Sequence, residues 1–441
     1  MSVRFSAAAL ACLALIVACG GEEKSAPSER PAAREPAQAE PAAAALPEAD
    51  SLPRGIVLAL AQFVKKDGKP VPGPARLEFV YRADGEWRTA ALEDPDGNVF
   101  HKAMLYEGAS GPVILSMAGT GAALKAWTRG TDGLEAKEIW AADFGGKWSR
   151  MRDAEVADLY GDGKASIAVA THDQGVVVVL RPQDDGSFEV VELDRKPDTF
   201  VHEIEIGDVD GDGVLEVYAT PSEPNRLDGS PQSGQVVRYV PARGEGPTVV
   251  ADLGERHAKE ILVADVDGDG RDELYVSVEG HIGGADGKQL IDPVEIRRYD
   301  ADTPPTEGGV IGEINDRLTR FLTAGDLDGD GKQELVAAAF KKGVWLFRPG
   351  TQPRSLWNSE LIDADSGGFE HASILTDLDG DGVDELYVAS DDHKELRRYR
   401  WDGEKLVRDT IYQRPDDRPV FTWNLMPVPV ELIPSEAPEA N

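Results

Sequence analysis

Cysteine is scarce in this sequence, and the apolar runs are short. Only Cys12 and Cys19 occur among 441 residues, both near the amino terminus, so a disulfide-rich scaffold is excluded. The apolar run from Ala7 to Ala18 is too short for a membrane-spanning helix. It fits a secretory signal, because Arg4 precedes it. An exported chain without an internal disulfide needs some other kind of cross-link.

Positive charge is also scarce. Lys and Arg number 46 against 80 Asp and Glu, which gives a formal net charge of -34. Such a chain repels phosphate groups at long range, so nucleic acid is excluded as a partner. The sequence also lacks a nucleophile elbow, a P-loop and a zinc-binding histidine pair. We therefore assign no catalytic residues.

The segment "IVAC" that ends the apolar run resembles the lipobox of bacterial lipoproteins. The resemblance implies that residues 1–18 are a signal peptide and that Cys19 is acylated; an ordinary signal peptide is the alternative. Residues 19–52 are rich in Ala, Pro and Glu, which predicts a semi-extended tether, and residues 435–441 are expected to form a disordered tail. We expect a lipid-anchored, extracytoplasmic protein of the bacterial envelope, in the outer rather than the inner membrane; Gly20 is compatible with that location.

An acidic motif of nine residues, D-x-D-x-D-G-x-x-E, recurs four times. Carboxylates at positions 1, 3, 5 and 9 can converge on one point, and glycine at position 6 permits the sharp turn. This all-oxygen set selects a hard cation and favours Ca²⁺ over Mg²⁺. The predicted side-chain ligands of about four calcium sites are Asp208, Asp210, Asp212, Glu216, Asp265, Asp267, Asp269, Glu273, Asp326, Asp328, Asp330, Glu334, Asp377, Asp379, Asp381 and Glu385.

The alternatives to these sites are an EF-hand and a set of acidic turns without metal. An EF-hand needs glutamate at position 12, where this chain has Ala219, Val276, Ala337 or Val388. Four copies with identical ligand spacing disfavour chance acidic turns. A fifth copy keeps Asp158 and Asp162 but has Tyr160 and Ser166 at positions 3 and 9, so metal binding there is left open.

The motif marks a structural repeat. First aspartates lie 50, 57, 61 and 51 residues apart, counting from Asp158. One repeat reads as four short strands, "HEIEIGDV", "EVYATPS", "GQVVRYV" and "PTVVADL", which is the pattern of a β-propeller blade. Residues 101–140 add a sixth blade. Three strands near residue 55 and the last strand, "VFTWNLMPVPV", complete a seventh.

The predicted fold is therefore all-β, a seven-bladed β-propeller of four-stranded antiparallel blades over residues 53–434, closed by its amino- and carboxyl-terminal strands. Six or eight blades are left open. The repeats resemble the FG-GAP or VCBS repeats of integrin α-subunit propellers and secreted bacterial proteins. The resemblance implies that each loop joins the first two strands of a blade and binds calcium on the lower face. It adds backbone carbonyl ligands from Val214, Arg271, Lys332 and Val383. Neither Glu107 nor Met426-Pro427 fits the motif, so the two remaining blades are expected to hold no calcium.

A second recurring position lies six residues before each first aspartate. It holds a basic residue or histidine in six blades and Phe421 in the last strand. Because this position opens the innermost strand of each blade, these side chains should surround the upper mouth of the central channel. There they would form a cationic funnel for an anionic ligand. Pairing of each with an acid of the next blade is the alternative. The predicted ligand-binding residues are His101, Arg152, His202, Lys259, Arg320 and His371.

These patterns suggest a calcium-stabilised binding or adhesion module at the envelope, with an unknown protein or an anionic glycan as its partner. A calcium-dependent carbohydrate-active enzyme resembling a polysaccharide lyase is the alternative, and His202 and Arg320 would be its first candidate residues. An envelope scaffold that uses the propeller rim is a third hypothesis.

Overall fold

The computed structural model describes residues 53–434 except 109–110, 120, 132, 146–148, 173, 222, 286 and 416–417. Cys19, the predicted signal peptide, the tether and the tail lie outside the described residues and stay predictions. Strands make up almost all of the regular structure that is described.

The first four blades use strands β1 to β16. Blade 1 contains β1 (Pro53–Lys66), the short β2 (Lys69–Pro72), β3 (Ala75–Ala83) and β4 (Glu86–Asp94). Blade 2 contains β5 (Phe100–Gly108), β6 (Gly111–Ala118), β7 (Ala122–Arg129) and β8 (Leu134–Ala142). Blade 3 contains β9 (Met151–Ala157), β10 (Ser166–Thr171), β11 (Val176–Pro182) and β12 (Phe188–Arg195). Blade 4 contains β13 (Val201–Gly207), β14 (Glu216–Pro221), β15 (Gly234–Val240) and β16 (Glu245–Gly254).

The other three blades follow the same order. Blade 5 contains β17 (Ala258–Ala264), β18 (Glu273–Val278), an added hairpin of β19 (His281–Gly283) and β20 (Gln289–Asp292), then β21 (Val294–Tyr299) and β22 (Gly309–Ile314). Blade 6 contains β23 (Thr319–Gly325), β24 (Glu334–Ala339), β25 (Val344–Arg348) and β26 (Asn358–Asp363). Blade 7 contains β27 (Ser373–Thr376), β28 (Glu385–Ser390), β29 (Glu395–Trp401) and β30 (Leu406–Gln413). The last strand is β31 (Val420–Pro429), and two 3-10 turns cover Pro241–Arg243 and Val430–Leu432.

The ring closes through its two ends, as the sequence predicts. Strand β31 pairs antiparallel with β1, with Met426 opposite Val57, and so becomes the innermost strand of blade 1. It also contacts β5 of blade 2 and β27 of blade 7. The seven-bladed prediction is confirmed, while β2 and the β19–β20 hairpin were not predicted.

The core lies between blades rather than inside them. Seven clusters of buried apolar side chains occur in the described residues, one for each pair of neighbouring blades. Strand β10 illustrates the cause, because Ile167 and Val169 face blade 2 while Ala168 and Ala170 face blade 4. Each blade therefore needs both neighbours to bury its two faces. No helix among the described residues is long and apolar enough to cross a membrane.

Candidate functional site

The acidic loops join the first and second strands of blades 3 to 7. In blade 4, the Asp208 carboxylate accepts the backbone N–H groups of Asp212 at 3.0 Å and Gly213 at 2.7 Å. Gly211 and Gly213 have φ of 69° and 82°, values that glycine adopts without a steric penalty. The apolar side chain at position 2, here Val209, is buried in the core between blades 4 and 5. The loop is thus folded by its own first aspartate and anchored by its second residue.

Carboxylate oxygens converge in four of these loops. In each, at least three acidic residues offer oxygens that lie within 4.8 Å of one another. The sets are Asp208, Asp210 and Asp212; Asp265, Asp267, Asp269 and Glu273; Asp326, Asp328 and Glu334; and Asp377, Asp379 and Asp381. One oxygen of Asp210 and one of Asp328 are buried without a hydrogen-bond partner. A buried carboxylate oxygen without a donor is costly, so these residues fit a bound cation.

The glutamate at position 9 has one oxygen held by the protein. Glu334 accepts the backbone N–H of Leu327 at 3.0 Å, and Glu273 accepts the hydroxyl of Tyr275 at 2.8 Å. Burial raises the pKa of Glu273 to about 8 and that of Glu334 to about 7. The neighbouring aspartates contribute to both increases. The positive charge near these carboxylates is therefore too small to offset the effect of burial on their pKa values.

Part of that charge comes from arginines that the sequence analysis missed. Arg238, from the third strand of blade 4, contacts Asp210 at 3.1 Å and Glu216 at 2.5 Å. Arg298 contacts Asp267 at 2.6 Å in blade 5. Blades 6 and 7 have Arg348 and Arg398 at the corresponding place. An arginine recurs at the end of each third strand, in "VVRYV", "IRRYD", "WLFRP" and "LRRYR", and this signal could have been read from the sequence.

The fifth loop, in blade 3, has the same backbone fold with a different charge balance. Asp158 accepts the N–H groups of Asp162 and Gly163, but the loop is not among the four converging groups. Arg181 donates to Asp162 at 2.9 Å, and its guanidinium lies 4.2 Å from the Tyr160 ring centroid. One arginine thus neutralises the aspartate that the loop retains at position 5.

Neighbouring loops are also linked by an aspartate at position 8. Asp384 of blade 7 accepts the backbone N–H of Asp326 in blade 6 at 2.9 Å, and Asp272 accepts that of Asp208 at 2.8 Å. The residue before each first aspartate is glycine in these two loops. A Cβ on Gly325 would lie 2.4 Å from the Asp384 carboxylate, so only glycine leaves room for this link.

The six residues predicted at the channel mouth lie at or just before the start of the innermost strand of blades 2 to 7. None is more than 9% exposed, so they form a packed layer rather than an open funnel surface. In blades 3, 5 and 6 the residue is the extra one of a β-bulge, which redirects its side chain. In blade 1 the corresponding bulge residue is Trp423, which lies between Thr422 and Asn424, and not Phe421.

Arg152 reaches across the mouth of the channel from blade 3. Its guanidinium donates to Nε2 of His202 at 2.9 Å and lies 4.9 Å from the Trp423 ring centroid. It also approaches Glu370 at 3.8 Å, and Glu370 accepts from Arg320 at 2.7 Å. The two arginines therefore share one buried carboxylate, which links blades 3, 6 and 7.

The remaining mouth residues join adjacent blades. His101 bonds to the carbonyl oxygen of Met151 at 2.8 Å, and His202 to that of Lys259 at 3.0 Å. Lys259 pairs with Glu223 at 2.8 Å. His202 and Arg320 are the first candidate residues of the enzyme hypothesis. His202 contacts Arg152, whereas Arg320 contacts Glu370.

Carboxylates continue below the mouth, along the innermost strands. Lys102 pairs with Asp153 at 2.9 Å and with Glu155. Asp153 accepts the backbone N–H of Ile204 at 3.0 Å. Burial raises the pKa of Glu203 well above its usual range. Lys102 thus provides positive charge for more than one acidic residue of the innermost strands.

His371 should make the protein sensitive to acid. It is fully buried, its Nδ1 lies 2.6 Å from the Ala339 carbonyl oxygen, and burial lowers its pKa from 6.5 to about 4. Above pH 6.5 it is neutral in both folded and unfolded chains; as the pH falls from there towards 4, only the unfolded chain gains the proton. Between about pH 7.5 and about pH 5, denaturant titration of His371→Gln should show a loss of unfolding free energy about 2 kcal/mol smaller than in the parent protein. Equal losses in the two proteins would contradict this assignment.

The fold and these loops define a class, a seven-bladed β-propeller with acidic loops between the first and second strands of its blades. Residues 158–219 and 326–388 match the family model of the FG-GAP-like repeat. The seven-bladed propeller thus contains two segments that match the FG-GAP-like repeat, as the motif predicts.

Two solved structures of low sequence identity align with much of this chain. An Agrocybe aegerita lectin that recognises non-reducing terminal N-acetylglucosamine is 16% identical, with a TM-score of 0.48 over 84% of this chain and 95% of the lectin chain. The Dos1 propeller is 9% identical, with a TM-score of 0.49 over 77% of this chain and 79% of that chain. No curated protein matches the sequence.

Proposed function

We propose that this protein is a calcium-binding β-propeller that serves as a lipid-anchored binding or adhesion module outside the cytoplasm. The observation that carries the calcium assignment is the convergence of carboxylate oxygens in four loops with the same spacing. Calcium prefers six to eight oxygen ligands in a flexible shell, and carboxylates with one backbone carbonyl per loop supply most of such a set.

Each ion would neutralise the loop of one blade, and the loops are joined to their neighbours. Val209 lies in the core between blades 4 and 5, and Asp384 bonds from blade 7 to the blade 6 loop. A bound ion would therefore stabilise the contact between blades as well as the loop itself. This gives the chain the cross-link that its cysteines do not provide.

The binding role is proposed for a closed ring whose amino-terminal end would be anchored. Acylation of Cys19 would hold the amino terminus at a membrane, and the Ala/Pro/Glu-rich tether would place the propeller beyond its surface. The partner would be a protein or an anionic glycan. At the mouth, an anion would have to displace Glu370 from Arg152 and Arg320, because that carboxylate already occupies them.

Isothermal titration of the decalcified protein with Ca²⁺ tests the metal assignment directly. Four sites are expected, and Asp328→Asn should reduce the number by one while Asp162→Asn, in the blade 3 loop, leaves it unchanged. Failure to bind any calcium would refute this function.

Lipid attachment is tested separately from metal binding. Expression of the full chain in a bacterium with labelled palmitate should label the protein, and Cys19→Ser should abolish the label. Unlabelled parent protein would refute the anchor but leave the calcium sites standing.

A further inference from the structure

A cleft of about 330 Å³ lies between blades 1 and 7, at the seam where the ring closes. Its blade 1 wall is the hairpin between β3 and β4, with Arg82 and Trp87. Its blade 7 wall includes Asp379 and Glu385 of the acidic loop and Arg398 of the third strand. This volume is at the lower end of the range for small-molecule sites, about 300–1,000 Å³, and suits a ligand of one sugar ring.

Two guanidinium groups and an indole ring meet in this cleft. The Cζ atoms of Arg82 and Arg398 each lie 5.6 Å from the centroid of the Trp87 ring. Arg398 donates to Asp409 at 2.8 Å and to Glu385 at 3.4 Å, but its Nε is buried without a hydrogen-bond partner. A buried cationic donor without an acceptor is costly, so this geometry favours an anion from outside the chain.

Blade 7 differs from blades 4 to 6 in how it uses this arginine. In those blades the third-strand arginine contacts the aspartate at position 3, at 3.1 Å for Asp210, 2.6 Å for Asp267 and 3.3 Å for Asp328. Arg398 instead bonds to Glu385 and Asp409. Asp379 is thus left to a metal ion, and the ion would lie beside the two arginines.

The charge of the cleft depends on that ion. Asp84, Asp379 and Glu385 outnumber Arg82 and Arg398 among its lining residues, so an anion is repelled while the loop is metal-free. A divalent cation held by Asp377, Asp379 and Asp381 would offset part of this negative charge. We propose that this cleft is a calcium-dependent binding site for a sugar-sized anion that carries a carboxylate or a phosphate group. The site rests on the calcium binding proposed above for blade 7.

Calorimetry with three probes tests the site on the calcium-loaded protein. D-glucuronate or D-glucose 6-phosphate should bind, and which of them binds identifies the anionic group; D-glucose should not bind. Excess chelator should abolish binding. No binding of either anion, equal binding in chelator, or equal binding of D-glucose would overturn the site.

Two variants test whether the anion binds in this cleft. Arg82 is exposed, and Arg82→Gln should weaken binding about tenfold because a charge-assisted contact is lost. The matched control is Arg195→Gln, because Arg195 also stacks on an aromatic ring, Phe144 at 5.8 Å, far along the chain in blade 3. Equal effects of the two variants would contradict the location.

Loop variants separate this inference from the calcium assignment. Asp379→Asn should remove one calcium ion and the anion together, while Asp210→Asn should remove one calcium ion and leave anion binding intact. Calcium binding at four sites without anion binding would overturn the cleft alone. A protein that binds no calcium would overturn both proposals.

Discussion

Excess chelator is expected to lower the melting temperature of this protein by roughly 10–20 °C. Calcium should bind the folded loops far better than the unfolded chain, so the free energy of binding adds to the free energy of unfolding. At a free calcium concentration about 100 times the dissociation constant, each site contributes about 2.7 kcal/mol. Four converging groups make this the largest effect expected.

The loops themselves supply the controls for the chelator experiment. Chelator already saturated with calcium should leave the melting temperature unchanged. Asp328→Asn, in a converging group, should reduce the chelator effect by about one quarter, whereas Asp162→Asn should not, because Arg181 neutralises that carboxylate in place of a metal. A melting curve that excess chelator does not move would contradict the role of the loops.

Replacing Glu370 with glutamine is expected to destabilise the propeller by about 3–5 kcal/mol. Its carboxylate lies 2.7 Å from Arg320 and 3.8 Å from Arg152, and all three side chains are at least nine-tenths buried. Removal of the negative charge leaves two arginines in the channel mouth without their shared counter-ion. Denaturant titration in saturating calcium would measure this loss without interference from the metal sites.

A matched control for Glu370 is Glu192, which pairs with Arg195 at 2.6 Å on the surface of blade 3. Glu192→Gln should change the free energy of unfolding by less than about 1 kcal/mol, because water screens an exposed pair. Replacing Arg320 together with Glu370, by methionine and glutamine, should recover part of the loss. Equal effects of Glu370→Gln and Glu192→Gln would mean that the mouth is not held by charge.

Local patterns were sufficient to predict the blades and their acidic loops. Strand patterns of alternating apolar and polar residues on both sides of D-x-D-x-D-G-x-x-E place the loop after the first strand. The buried residue at position 2 anchors the loop in the core. The closure of the ring was also readable, because "VFTWNLMPVPV" forms a strand that would otherwise have an unpaired edge. The last strand has no acidic motif from which to count, so counting points to Phe421, whereas the bulge residue of that strand is Trp423.

Contacts between distant residues could not be read in this way. The sequence left two interpretations of the mouth residues open, a funnel for an anion and pairing with acids of a neighbouring blade. It did not indicate that Arg152 and Arg320 share one carboxylate, that of Glu370. Likewise, Arg398 meets Trp87 only because the two ends of the ring come together. Sequence spacing gives no distance across a channel or a seam.

The sequence by itself determined the blade, its strands and the residues of each acidic loop, because these depend on side chains within nine residues of one another. The tertiary structure alone decided which charges are balanced and which are not, since that depends on side chains brought together from different blades. Buried charge is stable only with a partner at short range.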